Sequence, residues 1–122
     1  MNPLFDRVAI IGVGLLGASL GLAMKQRGIA ESVCGVGRRR ETLETALRRG
    51  CIDILADSPA EAAAVSDLIV IATPAALVIP SMDRILPALK PGAIVTDVAS
   101  TKGAICRHAD RTWPTPRLFV GS

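Results

Sequence analysis

Apolar residues along this chain fall into short continuous runs separated by stretches of helical period, and the two kinds alternate from end to end. Residues 8–11 are apolar, rich in β-branched side chains and closed by Gly12, which predicts a buried strand. A helix is expected over about 15–27, with Gly28 as its left-handed stop. Residues 33–36 predict a second strand. Residues 41–49 predict a second helix, with Leu43, Ala46 and Leu47 on one face and Gly50 after its end. Residues 52–55 fit a brief edge strand. Ser58-Pro59-Ala60-Glu61 reads as a capping box with proline at the first helical position, opening a short helix to about Val65.

Residues 68–72 form the strongest strand signal, a continuous apolar run of the kind buried on both faces. After Thr73-Pro74 a helical region should run to about residue 89, carrying Leu77, Met82, Ile85, Leu86 and Leu89. Pro80 offers that helix a later start, and Pro87 should fray it. Lys90-Pro91-Gly92 is a turn, 93–96 a strand, 101–110 a helix and 118–120 a last strand. Strands alternating with helices through short loops predict a parallel sheet covered on both faces.

Half of the residues are apolar and a fifth are charged, which excludes a disordered chain. A chain of this length suits one domain, able to bury roughly two-thirds of its unfolded surface. The net charge is +3, and Arg38, Arg39 and Arg40 account for all of it, since the other basic and acidic residues balance. One local cluster on a neutral chain is unlike the spread basic face of a nucleic-acid binder. Phe5, Trp113 and Phe119 are the only aromatics, too few for a base-stacking platform. Cys34, Cys51 and Cys106 form no C-x-x-C pair and His108 is the single histidine, so neither a disulfide framework nor a zinc site is expected. Unpaired thiols fit a reducing cytoplasm. Residues 8–24 carry no charge, but the four glycines among them and the missing basic flank favour a buried strand and helix over a membrane span.

Gly12-Val13-Gly14-Leu15-Leu16-Gly17 matches G-x-G-x-x-G. Three glycines can mark an ordinary tight turn, but here they follow an apolar strand and open an apolar helix. In that context Gly12 lets the chain turn, Gly14 lets backbone approach a pyrophosphate, and Gly17 lets helix pack on strand. The first helical N–H groups, around Leu15 and Leu16, offer donors and partial positive charge to the phosphates. The expected architecture is therefore α/β, a Rossmann-type doubly wound parallel sheet of about six strands in the order 3-2-1-4-5-6, with residues 1–122 as one dinucleotide-binding domain.

An acid that holds the ribose hydroxyls of NAD is expected about 20 residues beyond such a motif. Counting on from Gly17 reaches Gly37, followed by Arg38 and Arg39. A glycine removes the carboxylate that would repel a 2′-phosphate, and arginines can clasp that phosphate bidentately. NADP is the cofactor this pattern predicts, with NAD disfavoured. The alternative, that the arginines merely open a helix, sets their charge against the helix dipole. The missing acid also argues against S-adenosylmethionine.

Ligands of doubly wound sheets lie beyond the carboxyl ends of the strands. Thr73-Pro74 ends the fourth strand, where a rigid, N–H-free proline suits a stacked nicotinamide. Asp97-Val98-Ala99-Ser100-Thr101-Lys102 ends the fifth. Capping is the plainer role for Ser100 and Thr101. Lys102 sits unfavourably in a first helical turn, and His108 lies about two turns further on.

The glycine loop continued through Ala18-Ser19-Leu20, the Ala72-Thr73-Pro74 step and the stretch from Lys90 to Gly103 together resemble the prephenate/arogenate dehydrogenase family of tyrosine biosynthesis. The resemblance covers nearly the whole chain. It implies an oxidative decarboxylation in which a histidine takes the ring-hydroxyl proton while hydride passes to C4 of NADP, and loss of carbon dioxide leaves an aromatic ring. Ser100 matches the serine that contacts the substrate hydroxyl and the histidine. The histidine-proline motif would follow Phe119-Val120-Gly121, just beyond Ser122, and a helical substrate and dimerisation domain would follow that. The resemblance thus implies a soluble, cytoplasmic homodimer acting on arogenate or prephenate, with no nucleic acid, membrane or metal partner. It also implies that these residues alone bind cofactor without turnover. Two readings stay open beside it. One is a β-hydroxyacid dehydrogenase-type NADP domain, although such enzymes usually carry methionine where Leu16 stands. The other is a non-catalytic NADP-sensing module. Absence of tyrosine excludes short-chain dehydrogenases, and the ligand count excludes zinc alcohol dehydrogenases.

Overall fold

The computed structural model describes residues 3–98 and 118–121, Leu15 and 118–121 by their backbone alone. The elements run β1 (Phe5–Ile11), α1 (Leu15–Gln26), β2 (Ala30–Val36), α2 (Arg40–Arg48), β3 (Ile54–Leu55), α3 (Pro59–Ala64), β4 (Leu68–Ile71), α4 (Ala75–Ile85), a 3₁₀ turn (Leu86–Ala88), β5 (Ile94–Asp97) and β6 (Leu118–Gly121). All strand pairs are parallel, and the six-stranded sheet has the order β3-β2-β1-β4-β5-β6. This is the doubly wound α/β arrangement that the alternation of runs predicts. The helix expected over 101–110 lies outside the described residues.

Side-chain alternation along the strands divides the core in two. Ala9, Ile11, Cys34, Val36, Ile69, Ile71 and Val95 pack with α3 and α4 through Ala62, Ala63, Val78, Met82 and Ile85. Val8, Ile10, Val33, Leu68 and Val70 pack on the other face with α1 through Ala18, Leu22 and Met24 and with α2 through Leu43 and Ala46. β4 is buried along its whole length, as a central parallel strand covered on both sides must be. Burial pushes the Cys34 thiol up from its ordinary pKa, which keeps it protonated and unreactive.

Both α1 and α2 end in the same way. Gly28 and Gly50 adopt φ of +70° and +77°. Ile29 N–H then donates to Met24 O at 2.9 Å, and Cys51 N–H to Ala46 O at 2.9 Å, closing Schellman caps. α3 starts as its sequence says, with Ser58 Oγ accepting from Glu61 N–H at 3.2 Å.

Several boundaries depart from the hydrophobic pattern. β1 and β2 begin three residues earlier than the apolar runs, at Phe5 and Ala30. Asp6 and Arg7 in β1 and Glu31 and Ser32 in β2 interrupt the apolar pattern there, and Arg7 Nε donates to Ser32 Oγ across the pair at 3.2 Å. β3 keeps only two residues. Ahead of it, Asp53 mimics a ladder partner: its N–H donates to Val33 O at 2.8 Å and its Oδ2 accepts from Val33 N–H at 2.8 Å. α4 begins at Ala75 and runs through Pro80 instead of starting there. An internal proline costs about 3 kcal/mol. Val78, Met82 and Ile85 are fully buried on one face of α4, and at roughly 1.5–3 kcal/mol each they outweigh that loss. The α-helix does give way before Pro87, to the 3₁₀ turn.

The amino ends of the strands carry a polar cluster. Lys90 Nζ donates to Asp67 Oδ1 at 2.8 Å, and Arg7 N–H to Asp67 Oδ2 at 3.3 Å. The Lys90 hydrogen bond, helped by the backbone donors, holds the Asp67 carboxyl below its ordinary pKa against partial burial. A depressed carboxyl stabilises the fold above its unfolded pKa, about 3.9. That contribution disappears as pH falls through the lower folded value. Denaturant titrations across pH 2–6 should therefore show Asp67→Asn losing stability against the parent near pH 6 and converging with it at roughly pH 2.

Candidate functional site

Where β1 and β4 lie side by side the chain has reversed its direction of winding, with α1 on one face and α4 on the other. A cleft of about 630 Å³ opens at this switch point, beyond the carboxyl ends of β1, β2 and β4. Its floor is Ile11, Gly12, Val13 and Gly14; Val36, Gly37, Arg38, Arg39 and Thr42 form the β2–α2 side, and Ala72, Thr73, Pro74, Leu77, Pro80, Ser81 and Arg84 the β4–α4 side. Asp57 and Pro59 close the β3–α3 corner.

The glycine loop is built by close approaches. Gly12 has φ +95°, and a Cβ there would stand 3.0 Å from Ala72 C and Thr73 N. Its N–H donates to Val36 O at 2.7 Å, which ties the loop to the end of β2. A Cβ on Gly17 would sit 2.7 Å from Gly12 O, so the first turn of α1 lies directly on the loop. Gly14 is different: it is exposed, and a Cβ there would meet nothing within 4 Å. Gly14 is also the N-cap of α1, with no side-chain cap and no acid in the first turn. The first N–H groups of the helix are thus left to an outside acceptor.

Of the residues singled out in the sequence, Gly12, Gly14, Gly37, Arg38, Arg39, Thr73 and Pro74 line this one cleft. Leu16 is exposed and Gly17 buried, both off the lining. Ser100, Lys102 and His108 lie outside the described residues. The arginine run divides: Arg40 opens α2 and its Nε pairs with Glu44 Oε1 at 3.4 Å. Arg38 and Arg39 are exposed on the cleft, with no carboxylate partner among the described residues. Thr73 Oγ1 is buried with no hydrogen-bond partner among the described residues. An unsatisfied hydroxyl of that kind costs about 1–3 kcal/mol. Open backbone at Gly14, unpaired guanidinium groups and an unsatisfied hydroxyl all suit a phosphate-bearing ligand with many acceptors.

Thr42, Asp57, Ser81 and Arg84 also reach the cleft, and no motif marked them. Among the described residues no helix is long and apolar enough to cross a membrane, and no group of His, Cys, Asp and Glu could hold a metal ion.

This fold and cleft define a nucleotide-binding domain. The family model for the prephenate dehydrogenase nucleotide-binding domain matches residues 20–122, and the chain belongs to that family. It is 30% identical to the prephenate dehydrogenase of Bacillus subtilis (strain 168) over 99% of its own length, and spans 33% of that relative. Among solved structures, an arogenate dehydrogenase from Synechocystis aligns with a TM-score of 0.83 and 35% identity, covering 94% of this chain and 39% of that one. Prephenate dehydrogenase from A. aeolicus, in complex with hydroxyphenyl propionate and NAD+, aligns with a TM-score of 0.83 over 95% of this chain and 40% of that one. Its identity is 24%, so that likeness speaks for the fold alone.

The two loop glycines should respond oppositely to a methyl group. Gly12→Ala is expected to lower stability by about 1–3 kcal/mol through backbone strain and the clash with Ala72 and Thr73. Gly14→Ala should stay within about 0.5 kcal/mol of the parent. Urea unfolding of both variants checks the contrast.

Proposed function

We propose that the chain binds NADP in this cleft, as the cofactor domain of a dehydrogenase that oxidises and decarboxylates arogenate or prephenate. The observation that carries the cofactor choice is the end of β2. Gly37 stands where NAD-binding domains place a ribose-holding acid, and Arg38 and Arg39 beside it face the cleft unpaired. Each charge-assisted hydrogen bond to a 2′-phosphate is worth about 1.5–3 kcal/mol, so two favour NADP by a hundredfold or more.

When bound, the nicotinamide supplies the hydride acceptor. The residues around it have separate tasks. The open start of α1 at Gly14 holds the pyrophosphate with backbone N–H groups. Arg38 and Arg39 hold the ribose phosphate and so fix the adenosine end. Thr73 and Pro74 bound the cleft at the end of β4, where Thr73 Oγ1 can gain the partner it lacks and Pro74 gives a rigid surface. Ser100, after β5, hydrogen-bonds the substrate hydroxyl and orients the histidine that removes its proton.

Calorimetric titration should show NADP binding more tightly than NAD by at least about tenfold. Replacing Arg38 and Arg39 by alanine should erase most of that gap, and Gly37→Asp should reverse it. At position 37 a Cβ would stand 3.1 Å from Leu43 Cδ2, so the tip of Leu43 must give by a few tenths of an ångström. Equal affinities in the parent chain would overturn the assignment. In the full-length protein Ser100→Ala should lower kcat by roughly 10²–10⁴-fold with little change in NADP affinity. A change in NADP affinity alone would make Ser100 a cap or a cofactor contact.

A further inference from the structure

We propose that Asp57 reads the base of the bound nucleotide, its carboxylate accepting a hydrogen bond from the exocyclic amine of adenine. This rests on the cofactor reading above and adds the purine to it.

The order of strands sets the direction. The start of α1 follows β1, the arginines follow β2, and Asp57 follows β3, on strands that are neighbours in the sheet. A nucleotide with its pyrophosphate at α1 and its ribose phosphate at Arg38 and Arg39 therefore directs its base toward the β3–α3 corner. Apolar side chains on the cleft walls suit a flat heterocycle. Pro59 from α3 and Pro80 and Leu77 from α4 line the cleft, and a proline brings a rigid apolar ring without an N–H. A slot of this kind gives area without selectivity, and Asp57 supplies the missing polar contact.

Asp57 is exposed on the cleft and has no hydrogen bond or ion pair among the described residues. Arg84 lines the same cleft, yet the two form no ion pair. A lone carboxylate repels phosphates, so its useful partners on a nucleotide are donors. With the 2′-oxygen phosphorylated, the ribose keeps one hydroxyl, and the amine of adenine is the donor that remains at the base end. Support of α3 does not explain Asp57. That helix has six residues, is already capped by Ser58 and carries Glu61 in its first turn.

The test compares NADP with its hypoxanthine analogue, in which a carbonyl replaces the amine and faces the carboxylate with another acceptor. Calorimetry on the parent chain should show NADP at least about tenfold tighter than the analogue. Asp57→Ala should bring the two within about twofold. Asp57→Asn, which can donate as well as accept, should narrow the ratio by binding the analogue better. The NADP-to-NAD ratio should rise only slightly in either variant, as a charge that repels the ribose phosphate is removed. A parent ratio within about twofold, or a ratio that survives Asp57→Ala, overturns the proposal. So does a large shift in the NADP-to-NAD ratio at constant base preference, which would assign Asp57 to the ribose. Failure of the parent chain to bind either dinucleotide would bring down the cofactor reading first, and is told apart by that.

Discussion

At the end of β1 the backbone turns with Gly12 packed against the backbone of Ala72 and Thr73, where no side chain fits. The two central strands can end side by side only because of that approach. From there α1 departs to one face of the sheet and α4 to the other, and their divergence opens the cleft. Gly17 and Gly21 continue the constraint into α1, since a Cβ at either would run into the carbonyl oxygens of Gly12 and Cys51. Most of the glycine-rich stretch therefore answers to packing before any ligand is considered. A fold with the same sheet but side chains at these positions would hold α1 away from β1 and lose both the core contact and the anion-facing helix start.

Charge is arranged differently at the two ends of the sheet. At the amino ends Lys90 pairs with Asp67, Lys25 with Asp53, and Arg7 bonds Ser32. Partly exposed pairs of this sort contribute about 0–1 kcal/mol each. Their role is to satisfy polar groups where the strands emerge from under the helices. At the carboxyl ends Arg38, Arg39, Arg84 and Asp57 surround the cleft, and none has an ion-pair partner among the described residues. Single charges gathered around one cleft favour that cleft as the candidate binding surface.

The strands were legible wherever both faces are buried, as at β4, because every residue there must be apolar. They are illegible where polar residues break the run, as at Asp6-Arg7 and Glu31-Ser32, which is why the predicted strands start only at residues 8 and 33. β3 was overcalled for a related reason. Ile52 is buried against the sheet without belonging to it, and Asp53 makes the first cross-strand bonds. Pro80 misled through local propensity, which the buried face of α4 overrides. Within the cleft, the loop and the arginines could be read because a strand–turn–helix unit is contiguous in sequence. Thr42, Asp57, Ser81 and Arg84 could not. They come from three separate crossovers, and only the three-dimensional winding brings them to one rim.

The glycines also separate what the fold needs from what it merely permits. Gly28, Gly50 and Gly92 have positive φ, as has Gly12. Gly17, Gly21 and Gly35 are closed in by neighbouring atoms, Gly35 by Ile52 Cδ1 at 2.8 Å and Val13 Cγ2 at 3.0 Å. Gly14 and Gly37 are less constrained. Gly14 faces open space, and a Cβ at Gly37 would press at 3.1 Å on Leu43 Cδ2 and lie at ordinary contact distance from Val13 N. Both line the cleft. A residue that packing and backbone conformation would allow to be larger, placed at the mouth of a site, is explained by what has to come close to it. For Gly14 the proposed pyrophosphate at the start of α1 is that group. For Gly37 the relevant group is the carboxylate that position could hold and does not, beside two arginines whose charge it would have cancelled.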